Sequence, residues 1–384
     1  MRPIVHVITS TSWGGLEMYV VAIIKEQAAA GKAVVAFSLP ETPVHDALTA
    51  AGIPVQDAAR ESHLHLPDIL RLRKLIQSSN AKIVHSHTHV DVWPASLAAM
   101  GTTVSHVHSS YMPPGQKRDF IHAIIYRRVD ALVSSSLAAN EKIKRQFPIA
   151  PEKVRLVRYG RHLEKFRNNE DVRADMRQKL GINEGELAVG MIGRVEEGKG
   201  VREFAESLSH LSEDVRSRVK FFIVGARKED EGKEYSTCLQ AFSEREGIRG
   251  RLTILPWTTE TTPYLNALDV VVLASYNEMY SLSVIEAMAM HRPVIGTNTE
   301  GTPEQIGDNE RGLLVEPRNP TSIAAAVTRY VTDRSLLEKQ GALAAVWAHR
   351  EHAMHRSLQA LEQVYQSVCP RTPTPMVVSS LAKT

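Results

Sequence analysis

The sequence predicts an α/β protein made of two doubly wound domains, each with a parallel sheet covered by helices on both faces. In the N-terminal half, β-branched runs such as "RPIVHVIT" and "AVVAFSL" alternate with helical stretches such as "LEMYVVAIIKEQAAAG". The alternation restarts after a polar stretch near residues 165–187, with "LAVGMIGR", "VKFFIVGA" and "DVVVLAS" as strands. Such alternation indicates βαβ units and parallel sheets. A length of 384 residues agrees with two domains rather than one core.

The remaining elements follow the same plan. Further strands are predicted at "AKIVHSH", "TVSHVHS", "DALVSSS", "KVRLVRY", "RLTILP" and "RPVIGTN", and further helices at "PDILRLRKLIQSS" and "RDFIHAIIYRR". One last helix is predicted over "AVWAHREHAMHRSLQALEQVYQSV", followed by a tail rich in Pro, Ser and Thr that we expect to be disordered. We therefore expect an N-terminal domain over residues 1–168 and a C-terminal domain over 169–345. A helix over 346–368 is expected to cross back to the N-terminal domain, before a disordered tail over 369–384.

Composition favours a cytoplasmic enzyme. Hydrophobic residues make up 43% and charged residues 23%, which is ordinary for a soluble globular protein. No apolar run reaches the roughly 18 residues that a bilayer span needs, and the N-terminus reads as a strand rather than a signal peptide. Cys238 and Cys369 are too few for a disulfide framework or a cysteine zinc site.

Charge is unevenly spread along the chain. Residues 1–168 hold 21 Lys/Arg and 13 Asp/Glu, a balance of +8, whereas the remainder holds 25 and 30, a balance of −5. This asymmetry favours an anionic partner for the first half, or reflects drift of surface charge.

Histidines are concentrated in "HSHTHV" and "SHVHSS". Strand alternation would place His85, His87 and His89 on one face, so a metal-dependent hydrolase is one hypothesis. Asp91 is the only acid close in sequence. We favour the alternative, in which these histidines mark the carboxyl end of a strand, most are structural, and no metal is bound.

Three stretches follow predicted strands, where doubly wound sheets bind their ligands. After the first strand, Gly14 and Gly15 would let backbone approach an anion at a helix N-terminus, although a simple tight turn explains them as well. In "GMIGRVEEGKG", Arg194 and Lys199 suit a diphosphate, or belong to a solvated loop.

The most informative stretch is "SYNEMYSLSVIEAMAMHRPVIGT". Ser281 and Ser283 are candidates for the start of a helix, whose free N–H groups form an anion seat. Glu278 is predicted in the preceding loop and Glu286 about one turn into the helix, so the two would touch different parts of an extended ligand. An acid inside the apolar run "VIEAMAM" is costly to bury unless it is bonded, which makes Glu286 a functional candidate.

In this order and spacing, "GR(x)4KG", E-x7-E followed by "AMA", "EGTPEQI" and "RGLLVEPRNP" resemble the nucleotide-sugar-dependent retaining glycosyltransferases of the GT-B fold, often called family four. The N-terminal "WGG", "AKIVHSH", "HVHSS", "RRVDALVSSS" and "GRHLEKF" match as well, so the resemblance covers roughly residues 3 to 366. It implies two Rossmann-like domains facing a central cleft, and sugar transfer with retention of anomeric configuration.

The resemblance also implies roles for particular residues. Arg194 and Lys199 would bind the diphosphate of the donor, so that no divalent metal or other cofactor is needed. Glu286 would accept hydrogen bonds from the ribose, and Glu278 would contact the sugar hydroxyls. His108 would lie beside the sugar. The remaining implied contacts are glycines that close over the diphosphate and backbone N–H groups that face the phosphates or the sugar: Gly14, Gly15, Tyr280, Ser281, Leu282 and Ser283.

The chain departs from the family pattern in two places. "EMYS" replaces the usual "EGFG", so Met279, Tyr280 and Ser281 replace the residues of a glycine-rich turn. Because these side chains are larger, we expect a narrower sugar pocket. Near the domain junction "YGRH", residues 159–162, replaces the usual "NGVD". Both departures point to an unusual substrate or to drift.

The predicted helix "FIHAII" carries Lys117, Arg118, Arg127 and Arg128 around it. This pattern fits a surface that touches anionic lipid headgroups, or an ordinary helix with one buried face. The leading hypothesis is therefore a hexosyltransferase that takes a nucleotide sugar, with a UDP-sugar favoured, and acts on a lipid-linked or anionic acceptor at the inner face of the membrane. A metal hydrolase, a non-catalytic nucleotide-sugar-binding module and an epimerase of the same fold are the alternatives. Nucleic acid is not expected as a partner.

Overall fold

The computed structural model describes residues 3–111, 115–227, 234–245 and 247–369, and it contains two parallel sheets with helices on both faces. The strands of the N-terminal sheet are β1 (Ile4–Val7), β2 (Val34–Ser38), β3 (Val55–Asp57), β4 (Ile83–Ser86), β5 (Ser105–Ser110), β6 (Ala131–Ser134) and β7 (Val154–Leu156). Its helices are α1 (Gly15–Ala29), α2 (Pro43–Ala50), α3 (Leu66–Ser78), α4 (Val92–Ala99), α5 (Phe120–Arg127) and α6 (Leu137–Gln146). The strand order β3-β2-β1-β4-β5-β6-β7 reverses direction between β1 and β4.

The C-terminal sheet repeats this plan. Its strands are β8 (Leu187–Ile192), β9 (Val219–Ala226), β10 (Leu252–Pro256), β11 (Val270–Leu273), β12 (Val294–Thr297) and β13 (Gly312–Val315). The helices are α7 (Glu170–Lys179), α8 (Val201–Ser207), α9 (Glu213–Ser217), α10 (Glu234–Ser243), α11 (Thr262–Ala267), α12 (Leu282–Ala289), α13 (Thr302–Ile306), α14 (Pro320–Thr332), α15 (Arg334–Glu351) and α16 (Met354–Val368). The order β10-β9-β8-β11-β12-β13 reverses between β8 and β11. Both sheets are thus doubly wound, as predicted.

Burial explains why short β-branched runs form the strands. Every residue of β1, β4, β11 and β12 is buried, as expected for parallel strands with helices on both sides. Within the described ranges, none of the helices combines the length and apolar character that a bilayer-spanning segment needs.

The last predicted helix is two helices, because the chain breaks between α15 and α16. The backbone at the break pairs with the segment between the domains: Arg161 N donates to His352 O at 2.8 Å, and Met354 N donates to Arg161 O at 3.0 Å. α16 then lies against the N-terminal domain, where the Tyr19 and Ser357 hydroxyl oxygens are 2.7 Å apart. Apart from Cys369, the predicted tail lies outside the described residues.

Candidate functional site

The C-terminal sheet brings two loops together where its strand order reverses. Tyr276 N, after β11, donates to Gly198 O, after β8, at 3.0 Å. Gly200 has a φ of +69°, and a Cβ there would lie 2.1 Å from Ala274 O, so only glycine allows this close approach. The crevice at the carboxyl ends of strands beside such a reversal is where open α/β sheets bind ligands.

Lys199 and Glu278 form an ion pair across these two loops. The Lys199 Nζ to Glu278 Oε2 distance is 2.7 Å, and the side chains are 29% and 19% exposed. The loop geometry therefore joins two of the residues predicted from sequence and leaves both within reach of a ligand. Arg194 lies on the same loop as Lys199, but it is 53% exposed and pairs with Glu196 at 3.3 Å.

The start of α12 offers fewer free donors than the sequence predicted. Gln305 binds both sides of Ser281: Ser281 N donates to Gln305 Oε1 and Gln305 Nε2 donates to Ser281 O, each at 2.9 Å. The Ser281 N–H is therefore not available to a ligand, which corrects its predicted role. Ser281 and Ser283 also bond to each other through their hydroxyls at 2.9 Å. The N–H groups of Leu282 and Ser283 remain in the first turn, which has no intrahelical acceptors.

Glu286 is buried on α12 and forms an ion pair with Arg161, in the segment between the domains. Burial raises the pKa of the Glu286 carboxyl, and the Arg161 guanidinium and a hydrogen bond from Thr261 oppose that rise. The sequence predicted the bonded acid but not its partner. The signal that could have revealed Arg161 was the unusual "YGRH".

The first loop of the N-terminal domain faces the start of α12. A Cβ on Gly15 would lie 3.3 Å from Leu282 Cδ1, so glycine permits this approach between the domains. Gly14 N donates to Glu17 Oε2 at 2.9 Å, which caps α1 and uses the Gly14 N–H within the loop itself. Gly15 therefore faces the other domain, whereas the Gly14 donor is already bonded, and the predicted contact of the two glycines with a diphosphate stays a prediction.

Met279 and Tyr280 do not narrow a sugar pocket, contrary to the expectation from "EMYS". They are 2% and 3% exposed, and the Tyr280 hydroxyl oxygen lies 3.1 Å from His352 Nε2 at the break between α15 and α16. The Tyr280 ring also packs edge-on against Tyr159, with 6.0 Å between centroids. The Tyr280 side chain is accommodated because it points into the junction of the domains, and the Met279 side chain is buried.

His108 lies inside the N-terminal domain rather than beside the donor residues. Its side chain is 2% exposed, its Nδ1 is 3.0 Å from Ser86 Oγ, and its ring packs edge-on against Tyr126 of α5. Burial lowers the pKa of His108 to about 3. A side chain so enclosed does not touch a sugar in this conformation, which corrects the prediction.

The histidines of the hypothetical metal site are buried and belong to a chain of hydrogen bonds. His6, His85 and His87 come within metal-ligating distance of one another, whereas His89 is exposed in the following loop. Burial lowers the pKa of His6 to about 4 and that of the other two well below the usual range, so all three imidazoles are neutral.

Gln27 sets the direction of this chain. Its Oε1 can only accept, so it accepts a hydrogen bond from the N–H of His6 Nε2 at 2.8 Å. Since a neutral imidazole carries one N–H, His6 Nδ1 accepts from His87 Nε2 at 2.9 Å. His87 Nδ1 then accepts from the Tyr111 hydroxyl at 3.2 Å. His85 Nδ1 lies 2.7 Å from the Tyr365 hydroxyl oxygen, which accepts from Gln27 Nε2 and so links His85 to the chain. A metal held by these three histidines would have to displace a hydrogen bond at each of them, and the absence of a metal stays a prediction.

A second surface of the N-terminal domain combines exposed apolar and basic side chains. We call this the apolar–basic surface; its apolar members are Leu64, Leu66, Leu70, Phe120, Ile121 and Ile124, which are 41–79% exposed. Trp93 connects the members near α3 with those on α5, because its ring centroid lies 5.4 Å from the ring centroids of both His63 and His122. Lys117, Arg118 and Arg127 supply the charge.

Arg128 does not belong to this surface. Its Nη2 donates to Val104 O at 2.6 Å and its Nη1 lies 3.3 Å from Asp130, so it holds the domain together.

Solved structures with the same architecture define the class of protein. A glycosyltransferase from Rickettsia africae superposes with a TM-score of 0.85 and 18% identity, covering 97% of this chain and 99% of that one. Anabaena Alr3699/HepE in complex with UDP gives a TM-score of 0.85 and 16% identity, covering 96% and 100%. The fold is therefore GT-B, with two Rossmann-like domains.

Sequence comparisons agree with the glycosyltransferase class. A family model described as Glycosyl transferases group 1 matches residues 172–346, and one described as Glycosyltransferase Family 4 matches residues 13–165. The D-inositol 3-phosphate glycosyltransferase of Streptomyces bingchenggensis is 28% identical over 287 residues, which are 70% of this chain and 63% of that protein. The enzyme of the same name from Rhodococcus jostii is 25% identical over 367 residues, 87% and 79% of the two chains. Both halves of the chain therefore match family models of glycosyltransferases, the N-terminal half over residues 13–165 and the C-terminal half over 172–346.

Proposed function

We propose that this chain transfers a hexosyl unit from a UDP-sugar to an anionic, lipid-linked acceptor, with retention of anomeric configuration and without a divalent metal. The observation that carries the proposal is the placement of the Lys199–Glu278 pair and the buried Glu286 on neighbouring elements of the C-terminal domain, with Gly15 facing the start of α12. This arrangement offers a cation for a diphosphate and carboxylates for ribose and sugar hydroxyls.

Each group has a physical task in this proposal. Lys199 offsets the charge that develops on the leaving diphosphate, and Arg194, which is exposed and flexible enough to turn from Glu196, adds a second cation. Glu278 holds Lys199 in place and accepts from sugar hydroxyls with its remaining lone pairs. UDP as the nucleotide is supported by solved Alr3699/HepE complexes with UDP and with UDP-glucose.

A thermal-shift screen of UDP-, GDP- and ADP-sugars tests the donor. Binding to the native state raises the melting temperature with the logarithm of ligand concentration over Kd, so we expect the largest rise with a UDP-sugar. Glu286→Ala should remove that rise while the protein stays folded. A rise of unchanged size in Glu286→Ala would contradict the site, and the anomer of the product by NMR tests retention.

The acceptor is inferred from the apolar–basic surface. α3 and α5 follow β3 and β5, so their N-terminal ends lie at the carboxyl edge of the sheet, where the loops around the cleft also lie. Exposed Phe120 and Ile121 beside Lys117 and Arg118 suit insertion at an anionic lipid surface, with the cations on the headgroups. An anionic acceptor is further supported by the D-inositol 3-phosphate glycosyltransferases among the relatives, because D-inositol 3-phosphate carries a phosphate.

Vesicle sedimentation tests this surface. We expect the wild type to bind vesicles containing phosphatidylglycerol and not vesicles of phosphatidylcholine alone, and Phe120→Glu/Ile121→Glu to bind at least about tenfold more weakly. Val346→Glu is the matched control, because Val346 is 64% exposed on the C-terminal domain. Equal binding by both variants, or turnover of soluble D-inositol 3-phosphate without vesicle binding, would contradict the lipid-linked acceptor.

A further inference from the structure

Arg161 occupies a place where the domain junction meets the candidate donor site. Its backbone is fixed on both sides by the crossover between α15 and α16, through the bonds to His352 O and from Met354 N. Its side chain leaves this junction, passes with its Cζ 5.5 Å from the ring of Phe166, and ends on Glu286 Oε1. The backbone bonds place the Cα of Arg161 at the junction, and the contacts with Phe166 and Glu286 locate its guanidinium.

The pair is unusual in how little solvent it meets. The side chains of Arg161 and Glu286 are 17% and 8% exposed. In such surroundings a carboxylate without a cation would take up a proton, because burial disfavours its charged form. Arg161 and Thr261 each donate one hydrogen bond to Glu286, and each carboxylate oxygen can accept two, so Glu286 keeps capacity for further donors.

We infer that Arg161 is a positioning residue that makes Glu286 a selective acceptor for the ribose diol of the donor. The inference rests on the proposed function, in which Glu286 binds ribose. Arg161 counters the rise in the pKa of Glu286 that burial causes, and its hydrogen bond holds Oε1 in place. The two hydroxyls of a ribose can then both donate to the carboxylate, whereas a 2′-deoxyribose supplies one hydroxyl donor fewer.

Discrimination between UDP and 2′-deoxy-UDP measures this role directly. By isothermal titration, we expect the wild type to prefer UDP by at least about tenfold, since a site built to bind a hydroxyl rejects the analogue that lacks it. Arg161→Met should bind UDP more weakly and lose most of that preference. Arg161→Lys, which keeps the charge, should recover part of it.

The pH dependence of UDP binding distinguishes positioning from a structural role. The groups that lower the pKa of Glu286 are Arg161, which is a cation, and the hydrogen-bonding Thr261. Its removal raises the pKa of Glu286 further, so UDP affinity of Arg161→Met should fall as pH is lowered from 8 to 6. The wild type should change less over the same range. Arg158→Met is the matched control, because Arg158 also spans the domains but pairs with Glu304.

Coupling between the two residues completes the test. If Arg161 acts through Glu286, adding Arg161→Met to Glu286→Gln should weaken UDP binding by less than about twofold. Undiminished UDP preference and affinity in Arg161→Met would overturn the inference, as would tighter binding, which would mark Arg161 as an inhibitory contact. If Arg161→Met does not fold, Arg161→Lys with wild-type preference and pH profile supports the role of the charge, and one that loses all preference contradicts it.

The inference and the proposed function fail in different ways. GDP and ADP carry the same ribose as UDP, so a wild type that binds GDP instead of UDP refutes the donor assignment while the Arg161 comparison proceeds with GDP and 2′-deoxy-GDP. A wild type that binds none of the three contradicts both.

Discussion

The two sheets share one topology, but the places where their strand orders reverse are opposite in character. Between β1 and β4, three neutral histidines are 0–1% exposed, and α16 covers them with Tyr365. Between β8 and β11, Lys199 and Glu278 are charged, paired and partly exposed. The comparison teaches that equivalent reversals can differ in which groups they leave to a ligand. In the N-terminal domain α16 covers the histidines and only the loop with Gly15 faces the other domain, whereas in the C-terminal domain a charged pair stays partly exposed.

The largest expected effect is a loss of stability at acidic pH, caused by buried histidines. Burial lowers the pKa of His6 and His352 to about 4 and of His108 to about 3, below the 6.5 of an unfolded chain. The unfolded state therefore binds more protons as pH falls from 6.5 toward 4, and the free energy of unfolding falls with it. Asp91 opposes this, because burial raises its pKa to about 6 and the folded state takes up that proton first.

The net loss of stability between pH 7 and pH 4.5 should be on the order of 5 kcal/mol, read from urea unfolding at the two pH values. His6→Asn should lessen the pH dependence, and His355→Asn, an exposed histidine on α16, should leave it unchanged. A midpoint of unfolding that does not move with pH would show that the histidines are not held neutral.

The next effect is a loss of turnover in the C-terminal domain, without unfolding. Lys199→Ala should lower turnover by about 10² to 10³-fold, the typical loss when one group that stabilises developing negative charge is removed. Lys142→Ala is its matched control, because Lys142 is also 29% exposed and pairs with a glutamate, Glu300, at 2.6 Å. A similar loss in both variants would mean that general electrostatics, not the site, drives the effect.

The smallest expected effect tests whether Tyr280 belongs to the domain junction or to the donor site. Tyr280→Phe removes the hydroxyl that lies 3.1 Å from His352 and should lower the free energy of unfolding by about 1 kcal/mol. Affinity for the nucleotide sugar should stay within about twofold, because Tyr280 points into the junction. A change in donor preference in this variant would restore Tyr280 to the sugar pocket.

The sequence predicted the architecture because buried β-branched runs mark parallel strands. It singled out Lys199, Glu278 and Glu286 by their places after predicted strands, and their binding roles stay predictions. The short strands β3 and β13, and several helices including α2, α4 and α6, were not predicted individually; the shortest of them carry little periodicity.

What the sequence could not show depends on contacts between distant segments. Arg161 meets Glu286 125 residues away, and Gln305 takes the Ser281 N–H from 24 residues away. The enclosure of His108 similarly needs α5 packed over β5. None of these pairings has a spacing that a local pattern could reveal.

A crystal structure of the wild type grown with UDP tests the central claim most directly. The account predicts the nucleotide between Gly15 and the start of α12, with its ribose on Glu286 and its diphosphate on Lys199. It also predicts that the hydrogen-bonded chain through His6, His85 and His87 stays unchanged. A nucleotide bound elsewhere, or one whose diphosphate does not contact Lys199 and whose ribose does not contact Glu286, would contradict it.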